Sequence, residues 1–417
     1  LSSEISTLKT EKYLQLNFFN PASKIPLFTT LKRRITLLTA AVKTVCFVVC
    51  HAGPADHFAT FEKELVQEGY EVRVYASGPA AQKLAARGVS VFKTFSADNL
   101  SEKEETLLAE EIANEVASKA SIVFTDVGHH FNIALQNSLK DKNLETIAYC
   151  DNSEFPSPFL PEQYLNTATK VMEAAKRILF ANANAEKDPN ISVPFEKRIG
   201  LGYYPTEAAD VIGEKRRLSG DRLRLEFLTK LKLEEKTKKI LVFFGGNNEE
   251  YFNEAFPAFL RFLSQGAQKS DLSEFLVVLQ QHPGAKSKNR DGLLLQNLIS
   301  SEESNPKAPK IIISDKSTDE MLVIADGALY HQTSMGPLLA LAGIPMIQVG
   351  NKPYEDLIIK AGFCPSVTDS SKLTEAMFTA RPTALSPDQR ARIFAGLGIR
   401  QDWKEVLKAS LRLESTN

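Results

Sequence analysis

From Lys43 onward, short β-branched or apolar runs alternate with longer stretches whose apolar residues recur at helical spacing. The runs are TVCFVVC (44–50), EVRVYA (71–76), VSVFKTF (89–95), SIVFTD (121–126), ETIAYCD (145–151), RILFAN (177–182) and KRIGLG (197–202). Helical patterns lie between them, for example over 55–68, 80–87 and 101–119. Residues 210–239 break the alternation: they are dense in charge and hold no strand-like run, so they read as a solvated helix and linker. The pattern then restarts with KILVFFG (239–245), EFLVVLQQ (274–281), KIIIS (310–314), GALYHQ (327–332) and PMIQVG (345–350). Helices are predicted over 249–265, 319–325, 337–342 and 354–361, and a last one over 387–411 carries the single tryptophan, Trp403. Strand–helix–strand alternation of this kind predicts an α/β fold with two Rossmann-like, doubly wound parallel sheets, each covered by helices on both faces. The expected division is a basic extension over 1–42, a first α/β domain over 43–209, a charged connector over 210–238, a second α/β domain over 239–385 and a C-terminal segment over 386–417.

Composition narrows the class. The 417 residues suffice for two or three domains at about 100–200 residues each. Hydrophobic residues make up 43% and charged residues 24%, which excludes a disordered or collagen-like chain. Fifty Lys and Arg against 51 Asp and Glu leave a net charge of −1, so the chain lacks the basic excess of a dedicated nucleic-acid binder. No run of about 18 uncharged apolar residues reads as a membrane span. Three of the four cysteines, Cys46, Cys50 and Cys150, sit inside apolar runs and read as core residues, which with Cys364 fits a reducing, cytoplasmic setting. The chain opens on Leu1 instead of Met, so a further segment is expected upstream. Residues 1–42 interleave Lys9, Lys12, Lys24, Lys32, Arg33 and Arg34 with apolar residues. They read either as an arm for an anionic membrane surface or acceptor, or as an extension packed on the first domain.

In doubly wound sheets ligands bind beyond the carboxyl ends of the strands. All six histidines fall there: His51 and His57 after the first run, His129 and His130 after SIVFTD, His282 after EFLVVLQQ, and His331 at the end of GALY. The pattern points to a cleft between two facing domains. It does not point to a metal site, because adjacent His129 and His130 diverge and no ligand-spaced cluster such as HExxH occurs. Two strand ends suit an anion. Gly245-Gly246-Asn247 lies between a strand and a helix, where glycine admits a ligand to the backbone. Tyr330-His331-Gln332-Thr333-Ser334-Met335-Gly336-Pro337 brings hydroxyls and N–H groups to a helix start, with Pro337 suited to its first turn. Plain tight turns and N-capping by Thr333 or Ser334 are the structural alternatives.

The segment 319–350, ending in Gly343-Ile344-Pro345, resembles the donor-binding region of the GT-B glycosyltransferase superfamily. His51-Ala52-Gly53-Pro54-Ala55-Asp56-His57 is similar to its acceptor-side loop, and the helix around Trp403 to its last helix, which crosses back to the first domain. The closest flavour is lipid-A-disaccharide-synthase-like, or a related membrane-surface transferase. The resemblance implies a nucleotide-sugar donor held by Gly245, Gly246, Asn247, His282, Pro283, His331, Thr333, Ser334 and Gly336. It implies a glycan or lipid acceptor near His51, Gly53, His129 and His130, and no cofactor or metal. Two details bear on the donor. Many members carry an acid seven residues before the Pro of Gly-x-Pro, where it binds the donor ribose; here that residue is Leu338. His282-Pro283 with Thr333-Ser334 is similar to motifs of bacterial GT-B sialyltransferases that hold a cytidine nucleotide, so UDP and CMP donors both stay open.

The expected reaction is metal-independent, inverting glycosyl transfer, with a base in the first domain drawn from His57, Asp56 and Asp126, His57 leading. A sugar-nucleotide epimerase of the same fold is one alternative. A non-catalytic protein that binds a glycan, lipid or other partner is the other, motivated by Leu338. The setting implied is cytoplasmic, with attachment to the inner face of a membrane through 1–42 as an option.

Overall fold

The computed structural model describes residues 43–142, 144–157, 160–246, 249, 251–282, 289–301, 305–331, 333–349, 355–368, 370 and 382–412. The basic extension over 1–42, Asn247 and Pro283 lie outside the described residues.

Every run that the alternation marks in the first half becomes a strand. They are β1 (Thr44–Val49), β2 (Glu71–Ser77), β3 (Val91–Phe95), β4 (Ile122–Asp126), β5 (Glu145–Cys150), β6 (Arg177–Phe180) and β7 (Arg198–Gly200). They form one parallel sheet in the order β3-β2-β1-β4-β5-β6-β7. Order reverses beside β1, so the connections that leave β1 and β4 run to opposite faces of the sheet and a crevice opens between them at the carboxyl edge. The central strands are buried on both faces, which is why they read as unbroken apolar runs. Helices α1 (Ala52–Gln67), α2 (Gly78–Ala86), α3 (Glu102–Ala117), α4 (His130–Leu139) and α5 (Glu162–Ala174) cover the two faces.

Helix α6 (Glu207–Lys230) follows. It is more than the solvated connector its charge suggests. Ala209, Ile212, Gly220, Phe227 and Leu228 are buried on one face, against the second lobe. The half-buried Arg216 guanidinium donates to the Leu322 and Ala325 carbonyls, and Arg224 to Asp326. An arginine that caps a neighbouring helix looks, in sequence, like one facing water.

The second sheet is also parallel. Its strands are β8 (Lys239–Phe244), β9 (Phe275–Gln280), β10 (Lys310–Ile313), β11 (Gly327–Tyr330), β12 (Met346–Val349) and β13 (Ser366–Val367), in the order β10-β9-β8-β11-β12-β13. The two-residue β13 has no counterpart in the sequence reading. Its helices are α7 (Phe256–Lys269), α8 (Arg290–Ser301), α9 (Thr318–Ile324), α10 (Gly336–Leu341) and α11 (Leu357–Lys360). The helix expected over 249–265 instead begins as a π turn, Tyr251–Ala255. Pro257, in the first turn of α7, has no N–H for a regular ladder back into that turn.

The helix expected over 387–411 is two: α12 (Pro387–Leu397) and α13 (Trp403–Ser410). Gly398 ends α12 in the left-handed region, φ 62°, and a Cβ there would fall 1.8 Å from Asn182 Oδ1. The halves serve different lobes. Ile393 and Leu397 of α12 join the second core, whereas Leu407 and Leu411 join the first. Trp403 packs on Tyr203 and Phe61, with ring centroids 4.5 and 6.0 Å away. Lys404 and Lys408 pair with Glu64 and Glu68 of α1. The C-terminal crossing is therefore present, with its break at the boundary between the lobes.

Candidate functional site

The carboxyl edges of the two sheets face a shared cleft of about 500 Å³. Its first wall holds His57, Asp151, Asn152, Ser153, Glu154 and Ser157. Its second holds Phe244, Gly245, Gly246, His282, His331, Thr333, Ser334 and Asp356. Among the described lining residues there is no lysine or arginine.

The first wall is organised from behind by Asp126, at the end of β4. It is 1% exposed and accepts from the N–H groups of Cys50 and His51 at 3.1 and 3.0 Å, from Asn132 Nδ2 at 2.7 Å and from His51 Nδ1 at 2.7 Å. Asp126 is not among the residues that line the cleft, and its hydrogen bonds fix the β1–α1 loop across the crevice. Burial works against the imidazolium of His51, but Asp126 and the charges of Asp151 and Asp98 outweigh it and raise its pKa.

Asp151 follows β5 directly, and its side chain reaches the cleft. Burial and the nearby Asp126 charge push its carboxyl up to about 6, against a smaller lowering by its own backbone N–H and by His51. Gly53 makes room for it, since a Cβ at residue 53 would lie 2.9 Å from Asp151 Oδ2. Glycine at the start of α1 thus allows a close approach. His57 is 9% exposed and lies on the same wall. Its Nδ1 is 2.5 Å from the Tyr149 hydroxyl, and Tyr203 meets its ring edge-on at 4.9 Å. Burial lowers its pKa to about 4, so the imidazole is neutral near pH 7.

The other first-lobe candidates are not brought together. Asp56 turns to the flank of α2, where it pairs with Lys83 at 3.0 Å and Arg87 at 2.7 Å. His129 caps α4 by accepting from the Phe131 N–H at 3.1 Å, with its ring 5.6 Å from that of His51. His130, one residue on, points elsewhere: it lines a separate groove between α3 and α4, and its Nε2 lies 3.1 Å from Gln163 Nε2. Three of the six histidines, His57, His282 and His331, therefore line the cleft, and His51 stands behind its first wall.

On the second wall, glycine is required at the end of β8. A Cβ on Gly246 would sit 2.7 Å from the Tyr251 ring, and one on Gly245 3.1 Å from Asp291 Oδ2. His282 follows β9 with its pKa lowered by burial, which Asp291 partly opposes. His331 Nδ1 lies 3.4 Å from the Val349 carbonyl. Thr333 does not cap α10; its Oγ1 accepts from the Met335 N–H at 3.1 Å, and Met335 is the cap residue. Gly336 stands behind the wall, where a Cβ would meet Ile358 at 2.5 Å. Leu338 is 8% exposed and belongs to the second core. Asp356 is held by the Tyr330 hydroxyl at 2.9 Å and the Ile359 N–H at 2.9 Å. Glu154 and Lys360 form a 2.9 Å ion pair from one lobe to the other.

Asp151 and Glu154 are absent from the residues that sequence reasoning singled out. The signal for Asp151 was in view, as the last letter of the run ETIAYCD at the edge that marked the histidines. Among the described residues no group of three or more His, Cys, Asp or Glu is placed to hold a metal ion. None of the described helices is long and apolar enough to cross a membrane.

No family model matches this chain, and no curated protein does. Solved structures do. A UDP-GlcNAc 2-epimerase of Neisseria meningitidis bound to UDP-GlcNAc superposes with a TM-score of 0.57 at 12% identity, over 88% of this chain and 99% of that one. The UDP-GlcNAc 2-epimerase of Methanocaldococcus jannaschii gives 0.60 at 9%, over 88% and 99%. A glycosyltransferase of Rickettsia africae gives 0.57 at 11%, over 89% and 95%. The chain has the GT-B fold. At these identities the likeness is one of architecture: two parallel-sheet lobes with a cleft between their carboxyl edges. The GT-B cleft here is mixed on both walls: the first carries Asp151 and Glu154 with His57 and two serines, and the second carries His282, His331, Thr333, Ser334 and a glycine turn with Asp356.

Proposed function

We propose that the protein is a sugar-nucleotide enzyme that transfers a glycosyl group to a hydroxyl of a glycan or lipid acceptor, with inversion and without a metal. The observation that carries this reading is Asp151, a carboxyl pushed up to about 6 and facing a cleft whose opposite wall suits phosphate. In the first wall Asp151 takes the acceptor proton as the hydroxyl oxygen bonds to the anomeric carbon. The bond from that carbon to the phosphate oxygen breaks, and the nucleotide leaves with the electron pair. A base works best with a pKa near the working pH. That favours Asp151 over His57, which at about 4 is a weak base and serves as a neutral hydrogen-bonding group. Asp126 and His51 act through position, by holding the loop that shapes the Asp151 pocket.

The donor lies along the second wall. Backbone at Gly245 and Gly246, the hydroxyls of Thr333 and Ser334, and the imidazoles of His282 and His331 receive its phosphates, and they stabilise the charge that grows on the leaving group. Leu338 leaves the ribose without the acidic partner that the superfamily resemblance implies, so the base or sugar carries more of the donor recognition. Calorimetric titration with UDP, CMP, CDP, GDP and ADP tests the reading. One of them is expected to bind, and Asp151→Asn is expected to abolish turnover while nucleotide affinity holds. Absence of binding at millimolar nucleotide overturns it.

The structural neighbours named as UDP-GlcNAc 2-epimerases favour a second reading, epimerisation within the same cleft. Incubation with UDP-GlcNAc alone separates the two. Conversion to the 2-epimer, or UDP release with no acceptor, supports epimerisation; turnover that requires an acceptor supports transfer.

A further inference from the structure

The outward face of α6 carries a pattern that neither the cleft nor the core uses. Its buried face is set by Ala209, Ile212, Phe227 and Leu228. Directly opposite, where a surface helix normally places charge, stand Val211, Leu218 and Leu225, which are 50, 65 and 59% exposed. They are spaced by seven, so they form one straight line along the helix within about 20° of Leu218. The line has sided flanks. At about 100° per residue, Glu214 and Asp221 lie some 40–60° to one side and Lys215 and Arg222 as far to the other. The charged residues nearest the line are thus acidic on one side and basic on the other, with Arg217 and Glu226 farther round, and all four near side chains are exposed.

We propose that this face is a docking surface for a second copy of the chain, with the two α6 helices parallel and in register about a two-fold axis that runs along them. That operation turns the acidic flank of one helix toward the basic flank of the other. Glu214 then meets Lys215 of the second copy, Asp221 meets its Arg222, and Val211, Leu218 and Leu225 each pack on their own counterparts. An antiparallel pair has its two-fold perpendicular to the helices and keeps each flank on its own side. Glu214 would then face Asp221, and Lys215 would face Arg222, like on like. A lipid surface fits less well, because an anionic headgroup layer would repel the acidic flank. Within one chain, Glu214 already pairs with Arg217 and Arg222 with Glu226, at 2.7 and 2.6 Å. Exposed pairs of that kind are worth little and yield readily to a new partner.

Cysteine cross-linking on the full chain reads the arrangement directly, since Cys46, Cys50, Cys150 and Cys364 are all buried. Val211→Cys, Leu218→Cys and Leu225→Cys, oxidised separately, are each expected to give a covalent dimer. A size-tagged mixture of Val211→Cys and Leu225→Cys is expected to give only same-site products. Sedimentation velocity is expected to show a concentration-dependent dimer whose dissociation constant rises at least tenfold in Leu218→Glu, with the thermal melt unchanged. Glu214→Lys/Asp221→Lys and Lys215→Glu/Arg222→Glu are each expected to be monomeric alone and to dimerise when mixed. A monomer at every concentration, a dimer indifferent to Leu218→Glu, a 211-to-225 cross-link, or Leu218-dependent binding to phosphatidylserine vesicles without self-association would overturn the proposal.

Discussion

Asp151→Asn separates the stability and the activity of this cleft. In the folded chain the Asp151 carboxyl is moved from its ordinary 3.8 to about 6, chiefly by burial and then by the Asp126 charge. A rise of that size sets about 3 kcal/mol against the ionised form in the folded state. The sign follows from the two pKa values. Below pH 4 the carboxyl is protonated whether folded or unfolded, and the penalty is absent. As pH rises from 4 to 6 the unfolded chain loses its proton first, and the native state loses stability. Above 6 the full penalty applies. Asparagine keeps the shape and never ionises. The variant is therefore expected to melt close to wild type at pH 4 and a few degrees higher at pH 7.5, while losing catalysis. Melting both proteins at half-unit steps across this range measures the difference, and groups common to the two cancel. A melt difference that is flat between pH 4 and 7.5, or an asparagine variant less stable than wild type at pH 7.5, would refute the assignment of Asp151 as a strained, ionisable member of the wall.

Four other outcomes follow from the same geometry. The pH profile of kcat/KM is expected to fall on its acid side with a midpoint near 6, the value for Asp151; a midpoint near 4 would transfer the base role to His57. Gly53→Ala places a methyl 2.9 Å from Asp151 Oδ2, and its expected effect is a drop in kcat on the order of a hundredfold with little change in the melt; full activity would mean that the carboxylate position is not critical. Trp403→Ala removes the contact on Tyr203 and Phe61 that seats α13 on the first lobe, which is expected to cost about 2–3 kcal/mol in a denaturant titration. Because burial disfavours the charged form of His282, a bound phosphate is expected to draw a proton onto it, so nucleotide affinity rises as pH falls from 8 to 6.5 and calorimetry in buffers of different ionisation heat reports proton uptake; equal heats in both buffers, or the same uptake in His282→Gln, would remove His282 from the phosphate site.

The strands were legible because the sheets are buried on both faces, so that TVCFVVC or KILVFFG has no polar side to blur it. The GT-B arrangement was legible for the same reason: the two alternating halves follow one another with a break between. What the sequence hid depends on direction more than on element. The strand-end rule located the edge at which His129 and His130 fall, but one caps α4 and the other faces a different groove, because adjacent residues at a helix start diverge by about 100°. Asp126 looked like a base and proved to be a buried hub, since no spacing reveals that four donors converge on one carboxylate. In α6 the charge content masked a buried face, and the same density of charge made Val211, Leu218 and Leu225 look unremarkable until their exposure was known.

Under the transfer reaction proposed above, the two walls make opposite demands on protons. The first needs an ionised Asp151, which the raised pKa supplies only above about 6. The second gains from a protonated His282, which burial resists in the free protein but a bound phosphate promotes. A single pH cannot satisfy both in isolation. On that proposal a bound donor would charge the imidazole beneath it while Asp151 stays ionised to take the acceptor proton. His57, which lines the same wall as Asp151, is neutral near pH 7. On this account a nucleotide product holds the enzyme in the imidazolium form, so product inhibition strengthens at low pH just where turnover fails. The acid limb of kcat/KM and the pH trend of nucleotide affinity therefore run in opposite directions, and His282→Gln is expected to flatten the affinity trend while leaving the acid limb near 6, which a single shared titrating group cannot produce.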